Sequence, residues 1–341
     1  MAAKLHHFVY AKDFDLTGYE PRIGPLQEIE AALLKNVLRI RALGTLPIHV
    51  VSAASLGQLC AMQAMTNLKI KYTDTRIVEG HADFEPVLHD ALQEERRKLM
   101  KQHYDAAREG KVTPPFKIAE ENIGPMLKFE PLTTGADAVL GGMIISGWTA
   151  FETLAADVWK TALNIHPRVL AALTGRWHKR SKLDSDELIE DESEQIESKT
   201  VKLNDLQMHN YDVSKIMGNI HRKRFRWGVL EGIRSAYSSA FSKAWTEIQT
   251  AIEHRSLDAL AAARNVLVHK AGIVDEEFNR KCKGWPAFAN AVPNTPLMLD
   301  GFVVRDLLSE ALQQTVNLLQ AVDVWLDTHS ELKDDGAGRG R

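Results

Sequence analysis

Ala261-Ala262-Ala263-Arg264-Asn265-Val266-Leu267-Val268-His269-Lys270-Ala271-Gly272 is the stretch on which the reading of this 341-residue chain turns. Three alanines favour helix, and Gly272 supplies a left-handed stop after the last turn. Arg264, Asn265 and His269 therefore belong near the C-terminus of a helix. Asn265 and His269 are four positions apart and share a face, with Arg264 one position off it. The pattern brings together a planar cationic fork, an amide and an imidazole that titrates near neutral pH. A helix C-terminus also favours the charged form of the imidazole. The chain holds a second Arg-x4-His, Arg76 to His81. Ile77 and Gly80 break its helical character, and that copy reads as coincidence.

The surroundings of Arg264 set it apart. Arg-Asn, three aliphatic residues, His269 and then Gly272-Ile273-Val274-Asp275 together resemble the HEPN family of all-helical domains. Upstream, Gly147-Trp148-Thr149-Ala150-Phe151-Glu152-Thr153-Leu154-Ala155-Ala156-Asp157-Val158-Trp159 is similar to the first long helix of bacterial members. Leu230-Glu231-Gly232-Ile233-Arg234-Ser235-Ala236-Tyr237 is similar to the helix that precedes the motif. The resemblance covers roughly residues 131–329, with an insertion near 176–225.

Composition bounds the possibilities. Apolar residues make up 45% of the chain, enough for a real core, and the net charge is −3. The chain as a whole is thus not a basic nucleic-acid coat, and any nucleic-acid surface must be local. Cys60 and Cys282 are far apart and lack CxxC spacing. That argues against a disulfide scaffold or a zinc ribbon and fits a reducing cytoplasm. No run of about 18 apolar residues is present, so neither a transmembrane helix nor a membrane partner is expected. No metal or cofactor is expected either, because no ligand cluster, Rossmann fingerprint or phosphate-loop glycine motif occurs.

Taken in order, residues 1–22 read as irregular. Pro25 opens a helix over Leu26–Leu43, which Gly44 ends, and Pro47-Ile48-His49-Val50-Val51 suits a short extended piece. A second helix is expected from about Ala53 to Ile70, with Met62 and Met65 as core filler. A charged third helix follows at about Asp83–Glu109. Residues 1–112 thus form a helical N-terminal region, and 113–131, with Pro114 and Pro115, a linker.

Thr133-Thr134 can cap a long helix to about Asn164 whose wide apolar face demands neighbours on several sides. Its acids, Glu152 and Asp157, either serve Arg264 and His269 or form an ordinary polar edge. Two basic runs with aromatics follow: Arg176-Trp177-His178-Lys179-Arg180-Ser181-Lys182, and His221-Arg222-Lys223-Arg224-Phe225-Arg226-Trp227. They suit phosphates plus unstacked bases, or else solvated charge flanking buried aromatics. Between them, the acid-rich Asp184–Glu197 reads as a mobile loop or exposed helix able to mask a basic patch. Helical spacing resumes over Val229–His254, with Arg255-Ser256-Leu257-Asp258 to break and recap before the motif helix. Asp275–Pro296 reads as loop, Phe302–Thr328 as the last helix, and 330–341 as a disordered tail.

The sequence therefore predicts an all-α protein: a helical N-terminal region and a HEPN-like bundle over 132–329. The resemblance implies a metal-independent endoribonuclease, with His269 as acid–base group, Arg264 stabilising charge on the phosphorane and Asn265 orienting either partner. It implies RNA as substrate, a homodimer that brings two motifs into one cleft, and a toxin or phage-defence role with an antitoxin or regulatory protein. Arg176, Lys179, Arg180, Arg222, Lys223, Arg224 and Arg226 are the RNA-binding candidates, with Glu152 and Asp157 behind the motif. The alternative is a non-catalytic HEPN module that binds RNA, a nucleotide or a partner protein.

Overall fold

A computed structural model of the protein describes residues 8–9, 16, 18–68, 86–112, 117, 130–173, 203–208, 210–241, 245–288 and 291–329. All its regular structure is helical. Among the described residues the one extended pairing is the isolated bridge between Ile273 and Pro296. The all-α expectation holds. The helices are α1 (Gly24–Asn67), α2 (Pro86–Arg108), α3 (Glu130–Ile165), α4 (Pro167–Leu170), α5 (Leu203–Met208), α6 (Met217–Arg222), α7 (Leu230–Ala240), α8 (Trp245–Ile252), α9 (Arg255–His269), α10 (Glu276–Cys282) and α11 (Gly301–Thr328).

The chain parts into two compact units, Met1–Leu43 with Leu140–Arg341, and Gly44–Val139. The division therefore does not follow the expected boundary at 113–131, because the first half of α1 packs with the C-terminal helices. In the larger unit Leu26, Leu33, Val37 and Ile40 of α1 join one apolar core with Trp148, Phe151 and Trp159 of α3. The same core takes in Tyr237 and Phe241, Leu257 and Leu260 of α9, and Leu308, Leu312 and Leu319 of α11. α3 and α9 pass in opposite senses. A methyl on Gly141 would meet Leu267 at 3.5 Å and one on Gly147 would meet Leu260 at 3.9 Å. In the smaller unit Leu56, Cys60 and Ala64 of α1 pack on Leu99 of α2.

Several expected boundaries move. Gly44 and Pro47 do not end the first helix. α1 runs on to Asn67, and no extended piece forms at 47–51. Proline costs a helix interior about 3 kcal/mol. Ile48 and Leu56, buried on either side of the Ser52 position, offset that cost by packing. α3 starts at Glu130, so Thr133 and Thr134 lie inside it and do not cap it. The helix expected over Val229–His254 breaks at Phe241, whose φ −105 and ψ 24 leave helical geometry. There Phe241 stacks on Tyr237 and meets Trp325 edge-on. The loop over 275–296 contains α10, capped by Asp275, whose side chain accepts from Phe278 N at 2.8 Å. The described part of the insertion, 203–208 and 210–225, contains α5 and α6; Ile216 is buried and Phe225 joins the main core. Met62, expected in the core, is at the surface. The runs 174–182 and 184–197, the linker apart from 117, 130 and 131, and the tail 330–341 lie outside the described residues.

Contrary to the expectation of no membrane-length segment, α1 and α3 are both long and apolar enough to cross a bilayer. In α3 56% of that apolar window is buried within the protein; in α1 only 33% is.

A carboxylate with no exposure to water ties the chain ends of the larger unit together. Asp323 on α11 accepts from Tyr19 Oη at 2.7 Å, Arg22 N at 2.9 Å and Ile23 N at 3.0 Å. It thereby satisfies backbone donors at the start of α1 from a helix far away in sequence. Burial, then the bond to Asp323, pushes the Tyr19 phenol up to about 12. Removing the acceptor leaves three donors without a partner, so Asp323→Ala should lose roughly 3–5 kcal/mol in urea denaturation. Asp327→Ala removes an exposed ion pair with Arg22 and should cost at most about 1 kcal/mol.

Candidate functional site

α9 is set by its ends. His254 is its N-cap and accepts from Ser256 N through Nδ1 at 3.3 Å, so the cap precedes the stretch Arg255–Asp258 expected to break and recap the chain. Arg234 of α7 grips Asp258 in the first turn with two parallel bonds of 2.8 and 3.0 Å. This bidentate pair fixes the rotation of α9 against α7. At the other end Val266 O accepts from both Lys270 N and Gly272 N. Ala271 and Gly272 take φ values of 50° and 81°, so the left-handed stop is a two-residue turn of which Gly272 is the second member. Beyond it, Leu297 N bonds to Gly272 O, and Val274 exchanges backbone bonds with 294–295. The last turn of α9 is therefore held by backbone on its far side.

On that turn the motif is assembled. Arg264 Nη1 donates to Asn265 Oδ1 at 3.0 Å and lies 2.9 Å from His269 Nε2. A guanidinium has no lone pair to offer. Nε2 must then be the acceptor, which places the ring proton of a neutral imidazole on Nδ1. His269 is exposed, while Arg264 and Asn265 are half-buried. Chemically the cluster presents a fixed cation beside a lone pair able to take a proton, at a surface a polyanion can reach.

The two acids behind it part company. Glu152 is half-buried on α3, and burial raises its carboxyl above the usual range. The Trp148 indole and the charges of Arg264 and Arg222 pull the other way. The Trp148 Nε1 atom is itself buried and falls short of a well-formed hydrogen bond, so its share in this is small. Glu152 thus feels the motif arginine electrostatically. Asp157, one turn and a half onward, is turned to Arg222 at 3.5 Å and Lys160 at 3.4 Å.

The second basic run resolves into two faces. Phe225 and Trp227 each meet Trp159 edge-on at 5.4 Å, and Trp227 Nε1 donates to Arg222 O. These aromatics belong to the core and are not offered to bases. Lys223, Arg224 and Arg226 are exposed, and Arg222 is half-buried. What remains is a small cationic edge suited to phosphates. Arg176, Lys179 and Arg180, like Arg76 and His81, lie outside the described residues.

The sequence reading passed over His221. It opens the basic run yet is only 6% exposed, and neither ring nitrogen meets a partner. The neighbouring Gly218 packs against the Lys160 backbone and bonds through its N–H to Asn164 Oδ1 at 2.7 Å. That close approach presses α6 onto α3 and seals the ring inside. A histidine in a run of cations gives no sign of burial, although Gly218 three residues earlier marks a tight contact. Asp323 was missed too, although an acid on the Val316-Leu319-Leu326 stripe is itself a sign of a buried partner.

Compared with known proteins, the chain matches no family model, no curated protein and no solved structure. The resemblance of the motif thus rests on the residues themselves.

His221 gives a pH signature. Burial, then the charge of Arg224, holds its imidazole below the usual value. The unfolded chain takes up this proton near pH ~6.5 while the folded chain resists it. Stability from this site is full above that pH and should fall below it by up to about 1.4 kcal/mol per pH unit. Denaturation midpoints of the wild type and His221→Leu between neutral and mildly acid pH should show the slope flattened in the variant.

Proposed function

We propose that the protein is a metal-independent endoribonuclease of HEPN type whose chemistry is carried by Arg264, Asn265 and His269. The observation that supports this most is the 2.9 Å approach of Arg264 Nη1 to His269 Nε2 on an exposed helix end. RNA brings its own nucleophile. Nε2 of His269 takes the proton of a 2′-hydroxyl as that oxygen bonds to the adjacent phosphorus. The bond from phosphorus to the 5′-oxygen breaks, and the leaving oxygen takes up a proton. The products are a 2′,3′-cyclic phosphate and a 5′-hydroxyl. As substrate arrives, Arg264 moves from Nε2 to a phosphate oxygen, freeing the base and stabilising the charge that develops on the phosphorane. Asn265 holds the guanidinium in line. Lys223, Arg224 and Arg226 take neighbouring phosphates.

One His269 supplies one proton-transfer group, and the leaving oxygen needs a donor on the far side of the phosphorus. A second copy across a two-fold axis supplies it, which makes the working form a homodimer. The setting is the cytoplasm, where thiols such as those of Cys60 and Cys282 stay free. A toxin or phage-defence role, held in check by an antitoxin or regulatory protein, belongs to the same reading.

A non-catalytic RNA-binding role is the second reading. It is favoured by the fact that Arg264 occupies the Nε2 lone pair while the exposed cations address phosphate alone.

The purified protein should cut single-stranded RNA in excess chelator and spare the matching DNA, which lacks the 2′-hydroxyl. His269→Ala should slow cleavage about 10²-fold or more. Arg264→Lys should also be impaired, since a point charge does not reproduce the fork. Both variants should keep the wild-type circular dichroism spectrum. A folded His269→Ala protein as active as wild type would refute the assignment, and RNA binding without any cleavage would favour the second reading.

A further inference from the structure

Residues 212–225 lie on α3 as a short flap. It consists of a turn capped by Asp212 and then α6, which is six residues long. A helix of that length has no stability of its own and holds only while it is packed. Gly218 N donates to Asn164 Oδ1 at 2.7 Å, and Arg222 reaches Asp157 at 3.5 Å. Phe225 sets its edge against Trp159 at the far end. Both margins of the flap are marked. Upstream the chain turns through Asn210 and Tyr211, with φ of 53° and 61°. Downstream the Arg226 backbone fits against Gly232 of α7, where a side chain would collide. Gly218 and His221 are three apart and share a face, so the buried ring is turned toward α3 with the glycine. Neither ring nitrogen meets a partner.

We propose that His221 is a proton-operated latch: neutral, it lets the flap close on α3, and protonated, it lifts 212–225 off α3 as a unit. A proton gained in the closed state would be a buried charge without an acceptor. The nearby acids are already held. Lys160 and Arg222 share the Asp157 carboxylate, and Lys215 holds Asp212. Arg224, exposed on the flap, acts on the ring with the same sign as the proton. In the open state the ring is solvated and titrates near pH ~6.5. The closed state is therefore favoured above that pH and loses ground as the pH falls through it. Release of the flap is local, because α3 keeps its packing with α1, α7, α9 and α11. Opening takes Phe225 from Trp159 and Arg222 from Asp157. It also displaces Lys223 and Arg224, which on the ribonuclease reading take phosphates; that consequence rests on the reading, and the latch does not.

Amide hydrogen exchange of the full-length protein tests this without RNA, so its failure is distinct from that of the ribonuclease reading. Rates are compared at about pH 7.5 and about pH 5.5, corrected for the pH dependence of exchange itself. In the wild type, amides of 217–225 should open up to about tenfold more often at the lower pH. Amides of α3, α9 and α11 should keep their protection. His221→Leu replaces an unpartnered ring by an apolar side chain. It should slow opening of the flap at both pH values and abolish the difference between them. Arg224→Gln changes an exposed position, keeps the fold and should narrow the difference. The latch is overturned if wild-type 217–225 opens no more often in acid. It is equally overturned if α3, α9 and α11 lose protection in step, because the proton then unfolds the whole unit. A folded His221→Leu protein that keeps the wild-type difference assigns the effect to another group.

Discussion

The larger unit depends on the wide apolar face of α3. Leu140, Met143, Ile144, Trp148, Phe151, Leu154, Val158, Trp159 and Leu163 spread over more than half of the helix circumference, and all are buried, which leaves a narrow strip with Thr149 and Thr153 exposed. A helix with so broad an apolar face needs neighbours on several sides. α1, α4, α7, α8, α9, α10 and α11 contribute buried side chains to the same core. The close approaches follow from this demand. Gly147 lets Leu308 of α11 sit against the α3 backbone, and Gly218 brings α6 onto Lys160. Two polar groups caught in the process find internal partners. Trp159 Nε1 donates to Ala236 O at 2.9 Å, and Tyr237 Oη donates to Ala155 O at 2.8 Å. The motif helix α9 is placed by the same packing, with its apolar side against α3 and α11 and its Arg264 edge left toward solvent.

Much of this was legible in the residues. The apolar spacing of α3, α7 and α11 gave their existence, and Ala261–Ala263 with Gly272 gave α9 and its end. What local reading lost were the places where distant packing overrides local propensity. Gly44 and Pro47 are helix breakers by chemistry, yet they ride inside α1 because the residues around them are held by neighbours. Asp275, followed by Glu276, Glu277, Arg280 and Lys281, carries the charge order of a short helix, but the nearby prolines drew the segment toward loop. Phe241 leaves the helix to reach Trp325, a partner that no window of sequence contains.

At the site, the spacing of Arg264, Asn265 and His269 was enough to put them together, because one helix turn does so by geometry. Which group each one touches was not readable. The sequence left Glu152 and Asp157 equivalent; α3 separates them by half a turn, sending one toward Arg264 and the other to Arg222. The basic-aromatic run was ambiguous for a related reason. Cations and aromatics alternate both where bases stack and where a loop dips its rings into a core, and only Trp159 on a remote helix decides the matter for Phe225 and Trp227.

The two cysteines have a consequence of their own. Cys60 lies in the smaller unit and Cys282 in the larger, each buried and unbonded. Burial raises both thiols, Cys282 to about 12, so the reactive thiolate is scarce while the fold is closed. A thiol-alkylating reagent therefore acts on each cysteine chiefly when its own surroundings open. The chain carries one native chemical clock per unit, and the ratio of the two labelling rates reads the independence of their opening without any engineered probe.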